Sequence, residues 1–321
     1  MGRAEEAPPR AFGIAVVGPT AAGKSELAVA VAERVGGEVV SVDSRQAYRG
    51  LEIGTAAPTA EQRRRVPHHG VAFLEPGERY SAGRFARLAR GWIGEIRARD
   101  RVPVLAGGTG FFLSALTDPP FREPDMDPER RERLGTRLSS LDEAELRRWT
   151  RRLDPELERE LDALDPQRCG RTLELALLAG RPVTWWHRHG EPEAPPLRFL
   201  VFCLGLPGEL HRERIRRRTE AALEAGWPEE VRRLLGEGRD PDDPALSALG
   251  YDAVAALVHG RRDRDEALEE IVRDTWRYAR RQRTWFRHRL PEDAVRLDAR
   301  RPVDQLADRV AEAWEEERRR A

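Results

Sequence analysis

The run Gly18-Pro19-Thr20-Ala21-Ala22-Gly23-Lys24-Ser25 constrains this chain more than any other segment. It fits the phosphate-cradling pattern G-x-x-x-x-G-K-[ST]. The apolar stretch Ile14–Val17 before it has the character of a buried strand, and the stretch from Glu26 to Val35 is helix-forming. Strand, glycine loop and helix in that order bring loop amides and a helix N-terminus onto one anion. Of the 56 lysine and arginine side chains, Lys24 is the only lysine. Arginine serves wherever else a cation is placed, so Lys24 marks a position that needs a compact ammonium on a flexible stem, able to reach between diphosphate oxygens. The loop identifies a diphosphate or triphosphate binder without identifying a reaction.

The pattern repeats downstream. Glu38–Val42 reads as a second strand ending at Asp43-Ser44-Arg45-Gln46, and Val71–Leu74 as a third. Ser81 is placed to cap a helix in which Phe85, Leu88, Trp92, Ile93 and Ile96 fall at helical spacing. Val102–Leu105 then leads into Gly107-Gly108-Thr109-Gly110, again strand into glycine turn into helix. Alternating strands and helices predict a parallel α/β sheet covered on both faces, with the Lys24 loop, Asp43–Gln46 and Gly107–Gly110 at its C-terminal edge, where such sheets bind ligands. The segment from about Pro124 to Pro196 is charged, leucine-patterned and without strand signals, which predicts a helical lobe inserted into the core. Arg198–Leu204 reads as the strand that returns to the sheet. The expected organisation is therefore a first core portion over 11–122, a helical insertion over 123–197, and a return to the core with C-terminal helices over 198–321.

Composition narrows the class. A hydrophobic fraction of 40% with eight tryptophans supports a packed core, and 35% charged residues give a well-solvated surface. No run approaches the ~20 apolar residues needed to span a bilayer, and the N-terminus lacks the apolar stretch of a signal peptide, so a cytoplasmic protein with no membrane partner is expected. Cys169 and Cys203 are too few and too far apart for a disulfide framework or zinc site, and reduced, buried thiols are expected. The formal net charge is zero, which gives no overall basic excess for a nucleic acid. Arginines nonetheless cluster at 147–152, 212–218 and 273–289, as basic faces or as helix surfaces balanced by glutamates.

Two candidate positions carry open alternatives. Asp43 closes a strand on the phosphate side, where a carboxylate serves as general base or magnesium ligand; with Gln46 it also has the spacing of a helix capping box. Thr109 can cap the following helix while its hydroxyl faces a ligand. His68, His69, His187 and His189 lack the spacing of a zinc pair and read as turn and surface residues.

The ordered motifs resemble the tRNA dimethylallyltransferases (tRNA isopentenyltransferases) of the bacterial type, over about Ile14–Leu290. Gly18–Ser25 is similar to that family's G-P-T-A-x-G-K-[ST] loop, and Asp43–Ala56 to its D-S-x-Q-x-Y-x-G-x-x-I-G-T-A segment. Pro67-His68-His69, Gly107–Gly110, Gln167-Arg168 with Arg171, Arg214-Ile215 with Arg218, Gly250-Tyr251 and Tyr278–Arg287 also match. The sequence departs from the family wording at Ala57, Phe112 and Asp252, mainly polar supporting and RNA-facing positions.

The resemblance implies a P-loop nucleoside-triphosphate-hydrolase-like core with an inserted helical lobe closing over a tRNA anticodon loop. It implies transfer of a dimethylallyl group from dimethylallyl diphosphate to the N6 amine of the adenosine 3′ of the anticodon. On that resemblance Asp43, Thr109 and Lys24 are the catalytic candidates. Gly18, Pro19, Thr20, Ala21, Ala22, Gly23, Lys24, Ser25, Arg214 and Arg218 would bind the diphosphate, with Mg2+ near Ser25. The tRNA anticodon stem-loop would meet Asp43, Ser44, Arg45, Gln46, Thr109, Arg131, Gln167, Arg168, Cys169, Gly170 and Arg171, and a monomer is expected. Two rivals share the glycine loop: a small-molecule kinase using ATP, and a non-catalytic RNA binder that keeps a relic loop.

Overall fold

The computed structural model describes residues 11–239, 243 and 245–320. Among these, six strands form one sheet in the order β3-β2-β4-β1-β5-β6, every neighbouring pair parallel. The strands are β1 (Gly13–Val17), β2 (Gly37–Ser41), β3 (His68–His69), β4 (Val102–Gly107), β5 (Phe199–Gly205) and β6 (Val295–Asp298). A parallel sheet needs a crossover for each step, and the chain provides α1 (Lys24–Val35), α2 (Ala60–Arg65), α3 (Ala82–Ala98) and α4 (Gly110–Thr117) between the first strands. The mixed α/β class and parallel sheet expected from the alternation are what the structure shows.

Each face of the sheet has its own apolar layer. On one, Leu27, Ala28 and Val31 of α1 pack with Ala307, Val310 and Trp314 of the last helix, Val303–Arg320. On the other, Phe85, Ile93 and Ile96 of α3 pack with Phe112 and Leu116 of α4, the rings of Phe85 and Phe112 stacked at 4.5 Å. The Ser81 cap forms as its position predicts, Oγ accepting from Arg84 N–H.

The sheet and flanking helices form one compact unit with residues 197–320; Pro119–Pro196 form the other. In that second unit lie α5 (Pro128–Ser139), α6 (Glu143–Leu153), α7 (Pro166–Leu178) and α8 (Val183–His189). Leu146, Cys169 and Leu173 form its small core. After β5 the first unit continues with α9 (Gly208–Glu224), α10 (Trp227–Gly236), α11 (Tyr251–Val258) and the 26-residue α12 (Arg264–Arg289), which starts with a capping box between Asp263 and Glu266. The helix Val303–Arg320 is α13. Cys169 and Cys203 are both buried free thiols, as expected.

Two strand expectations are corrected. The third strand is His68–His69, not Val71–Leu74. Gly70 (φ 76°) and Ala72 (φ 49°) take the left-handed conformation, which breaks an extended run, so only an isolated bridge joins Leu74 to Tyr48. β6, in a stretch read as helical, is a four-residue edge strand in which only Leu297 is buried, too short for a period to show.

At the end of β4 the sheet leaves no room for a side chain. A Cβ on Gly107 would lie 2.0 Å from the Val42 carbonyl oxygen, which is fixed in backbone. Gly107→Ala is expected to lower unfolding free energy by about 2–3 kcal/mol through forced strand displacement; urea denaturation of the variant checks this.

Candidate active site

The strands are parallel, so their C-terminal ends share one edge, and a single pocket opens there. It is lined by Thr20, Ala21, Gly23, Lys24 and Ser25 from the first loop, Asp43–Gln46 from the second, and Gly107 and Gly108 from the third. Helices supply the other walls: Arg214 and Arg218 from α9, and Ile271, Thr275, Tyr278 and Gln282 from α12. These four α12 positions follow i, i+4, i+7 and i+11, one stripe of a helix.

Ala21 (φ 60°), Gly18 (φ 145°) and Gly23 (φ 93°) turn the first loop back on itself. The Lys24 ammonium donates to the Pro19 carbonyl at 2.8 Å. Burial lowers the Lys24 pKa to about 8, while Asp43 pulls it up and Arg218 pushes it down. Burial also depresses Arg218, again against the pull of Asp43. The pocket thus holds more positive than negative charge and favours an anion.

Asp43 follows β2 directly. Its Oδ1 accepts from Arg45 N–H at 2.8 Å and Gln46 N–H at 3.4 Å, and among the described residues its other oxygen has no hydrogen bond. The capping-box alternative does not hold: no helix begins here, and the Gln46 side chain turns to Ser41 Oγ (3.0 Å) and the Ala56 carbonyl (3.1 Å). Thr109 sits at the N-cap position of α4 without capping it; its Oγ1 accepts from Ser44 N–H at 3.2 Å, joining the second and third loops.

The segment after Asp43 is held from behind. Buried Glu230 of α10 accepts from Ile53 N–H (2.8 Å), Gly54 N–H (3.1 Å) and the Tyr251 hydroxyl (2.7 Å). Burial pushes the Glu230 carboxyl up and the three donors pull it down. The Tyr278 phenol is pushed up to about 12, chiefly by burial and secondly by Asp43.

The predicted residues separate into groups. Thr20, Ala21, Gly23, Lys24, Ser25, Asp43, Ser44, Arg45, Gln46, Arg214 and Arg218 meet in the pocket. Gly18, Pro19 and Ala22 are buried under the loop, and Arg214 donates to the Ala299 carbonyl at 2.9 Å. Arg131, Gln167, Arg168, Cys169, Gly170 and Arg171 belong to the helical unit. There Arg131 and Arg171 share the carboxylates of Glu123 and Glu174, at 2.5–3.0 Å. Gln167 and Arg168 are exposed on the first turn of α7. Cys169 is corrected: its side chain is fully buried in the lobe core and cannot touch a ligand on that surface.

Sequence reasoning assigned no role to Gln282, His211 or Glu230. A polar residue on the apolar stripe of a helix is the signal all three share. The loop-backbone groups they hold lie 174 to 262 positions away, and no local pattern reports that.

Among the described residues no three His, Cys, Asp or Glu side chains converge as a metal site. Ser25 and Asp43 both line the pocket and carry oxygens of the kind a divalent cation takes beside a bound oxyanion.

The fold and pocket define a phosphate-loop α/β protein whose site sets Asp43 among an excess of cations that favours an anionic ligand. Residues 46–289 match the IPP transferase family, and 13–67 match isopentenyl transferase. The tRNA dimethylallyltransferase of Thermomicrobium roseum is 40% identical over 95% of this chain and 92% of its own length. That of Halorhodospira halophila is 42% identical over 89% and 92%. The full-length tRNA isopentenylpyrophosphate transferase of Bacillus halodurans, a crystal structure, aligns over 95% of this chain and 97% of its own at 31% identity and TM-score 0.68. A eukaryotic dimethylallyltransferase acting on tRNA, at 23% identity and TM-score 0.76, shares the fold. The chain belongs to the IPP transferase family, a family of prenyltransferases.

The depressed Lys24 gives a pH signature. Diphosphate binding favours the ammonium, so above pH 8 binding takes up a proton, and affinity falls as pH rises through the free-site value of about 8. Calorimetric titration with inorganic diphosphate is expected to show flat affinity below pH 8, then a loss approaching tenfold per pH unit relative to Lys24→Arg, which stays charged.

Proposed function

We propose that the chain transfers a dimethylallyl group from dimethylallyl diphosphate to the N6 amine of the adenosine just 3′ of the anticodon of a tRNA, releasing diphosphate. The observation that carries this reading is the Asp43 carboxylate in the same pocket as the Lys24 loop and Arg218. A leaving diphosphate and a nucleophile that must lose a proton require such a pairing. The N6–C1 bond forms as the C1–O bond to diphosphate breaks; the electron pair stays on the diphosphate and the N6 proton goes to Asp43. The amine lone pair is delocalised into the purine, so a base that orients and deprotonates it lowers the barrier. Lys24, loop amides, Arg214 and Arg218 hold the charge that develops on the leaving group. Mg2+ held by Ser25 and the diphosphate would add Lewis-acid stabilisation of that charge.

Thr109 ties Ser44 to the third loop and so sets the Asp43–Gln46 segment against the adenine. Reaching this edge requires the base to leave its stack. Asp43–Gln46 and, in the helical lobe, Arg131, Gln167, Arg168, Gly170 and Arg171 are the tRNA-facing residues of this reading, and the protein acts as a cytoplasmic monomer. Among the described residues no helix is long and apolar enough to cross a membrane.

Incubating the protein with tRNA and labelled dimethylallyl diphosphate, with ATP as competing donor, tests the reading. Label in tRNA supports it; phosphoryl transfer from ATP overturns it. In the same assay Lys24→Arg is expected to lose ~10²–10³ in turnover while still binding tRNA, because the charge survives and the compact fit does not.

Asp43→Asn separates base from scaffold. Asparagine Oδ1 still accepts from Arg45 and Gln46 N–H, so the turn and melting temperature are expected to persist. The single-turnover rate is expected to fall ~10²–10⁴-fold. Transfer at the wild-type rate would remove Asp43 from the base role, and restoration by excess Mg2+ would make it a metal ligand.

A further inference from the structure

The peptide group of Thr20, at the centre of the phosphate loop, is gripped on both sides by side chains from far along the chain. Its N–H donates to Gln282 Oε1 at 2.8 Å. Its carbonyl accepts from His211 Nε2 at 2.7 Å, so that nitrogen carries a proton, and burial lowers the pKa of the ring and favours its neutral form. The other end of the Gln282 amide, Nε2, donates to the Gly108 carbonyl at 2.8 Å. One carboxamide therefore joins the first glycine loop to the third.

The fit is close. A Cβ on Gly108 would lie 2.5 Å from Gln282 Nε2, so the glycine is what allows the approach. Gln282 is 7% exposed and His211 fully buried. The His211 ring meets Trp276 edge-on at 5.6 Å, and its Nδ1 has no hydrogen-bond partner. A buried imidazole with an unpartnered nitrogen costs free energy in the fold, and what it gains is the one bond to Thr20. Arg214 and Arg218 follow His211 on α9 at i+3 and i+7, so the helix that supplies two pocket cations also supplies the grip on the loop.

We propose that Gln282 and His211 are positioning residues for diphosphate: they hold the Thr20 peptide in its binding orientation before any ligand arrives, so the loop amides need no ordering when the anion binds. Neither side chain needs to touch the reacting atoms. Gln282 uses its oxygen on Thr20 and its nitrogen on Gly108, and His211 uses its only N–H on the Thr20 carbonyl. The cradle is preorganised by α9 and α12, which pack against each other through Ile215, Val272 and Ala279. The chemical class of ligand rests on the function proposed above, whereas the grip itself requires only that the loop bind diphosphate.

The test measures inorganic diphosphate binding to the full chain by calorimetry, alongside melting temperature, filter binding of tRNA, and the kcat and KM of transfer. Gln282→Met keeps the volume and removes both hydrogen bonds; diphosphate is expected to bind about tenfold more weakly, the usual scale for one or two such bonds. The KM for dimethylallyl diphosphate rises in proportion, and tRNA binding stays within about twofold. His211→Gln, whose amide reaches the Thr20 carbonyl, is expected to bind diphosphate nearly as wild type, while His211→Leu shows a loss like that of Gln282→Met. Both lesions free the same peptide, so the double variant loses less than the product of the two. Unchanged diphosphate affinity in a folded Gln282→Met overturns the proposal. If that variant does not fold, equal affinities for His211→Gln and His211→Leu overturn it. Wild-type protein that binds diphosphate but does not prenylate tRNA would refute the reaction while leaving the grip to stand or fall on the binding data.

Discussion

The charge held at the C-terminal edge of the sheet governs what surrounds it. Lys24 and Arg218 are drawn out of water with one carboxylate, Asp43, to offset them, and burial weakens the hold of both on their protons. Such a cluster persists only where backbone is rigid enough to keep it from relaxing into solvent. The sheet provides that rigidity through strands buried along their full length at β1, β2 and β4, with glycine where β4 passes closest to the end of β2. An incoming anion resolves the imbalance, so the energy spent in gathering the cations returns as affinity for a diphosphate.

The second support is a helical layer that acts on the loops from outside the sheet. Glu230 and Tyr251 pin the backbone at Leu51, Ile53 and Gly54, behind the Asp43 segment. Gln282 and His211 do the same for the phosphate loop. Each is a buried polar side chain given to backbone groups, which in this position has no helix or ladder partner of its own. The pocket's shape is therefore set by α9–α12 as much as by the strands, and the matched motifs divide accordingly between the strand loops and these helices.

What could be read from the sequence follows that division. β1, β2, β4, β5, α1 and the start of α3 each announce themselves within a dozen residues, by an apolar run, a glycine loop or a capping serine, and the leucine pattern of 124–196 gave away its helices. β3 was displaced because left-handed geometry at Gly70 and Ala72 is invisible in a run of Val, Ala, Phe and Leu. β6 is half exposed at the sheet edge and carries too little pattern. Lys24 stood out because it completes a motif spacing, Asp43 because it closes a strand on the phosphate side, and Arg218 through the family resemblance; all three line the pocket. Gln282 was not, since its role comes from a fold that brings together residues 262 apart in sequence. Cys169 was misread because its motif neighbours face water while its own position on α7 faces inward.

Strand order also sets when the protein can be finished during synthesis. β1, made first, lies between β4 and β5, and β5 begins at Phe199. The ends of the intervening segment are drawn together by Leu197 N–H on the Leu116 carbonyl at 2.9 Å. The outer cover of α1 comes from α13, whose Glu317 accepts from Ala11 N–H at 3.3 Å. On the ribosome the phosphate loop therefore emerges before both sheet neighbours of β1, and Leu27, Ala28 and Val31 of α1 wait for their packing partners on α13. That cover is complete only when α13 emerges, so the segment that most defines the protein is among the last to gain its full surroundings.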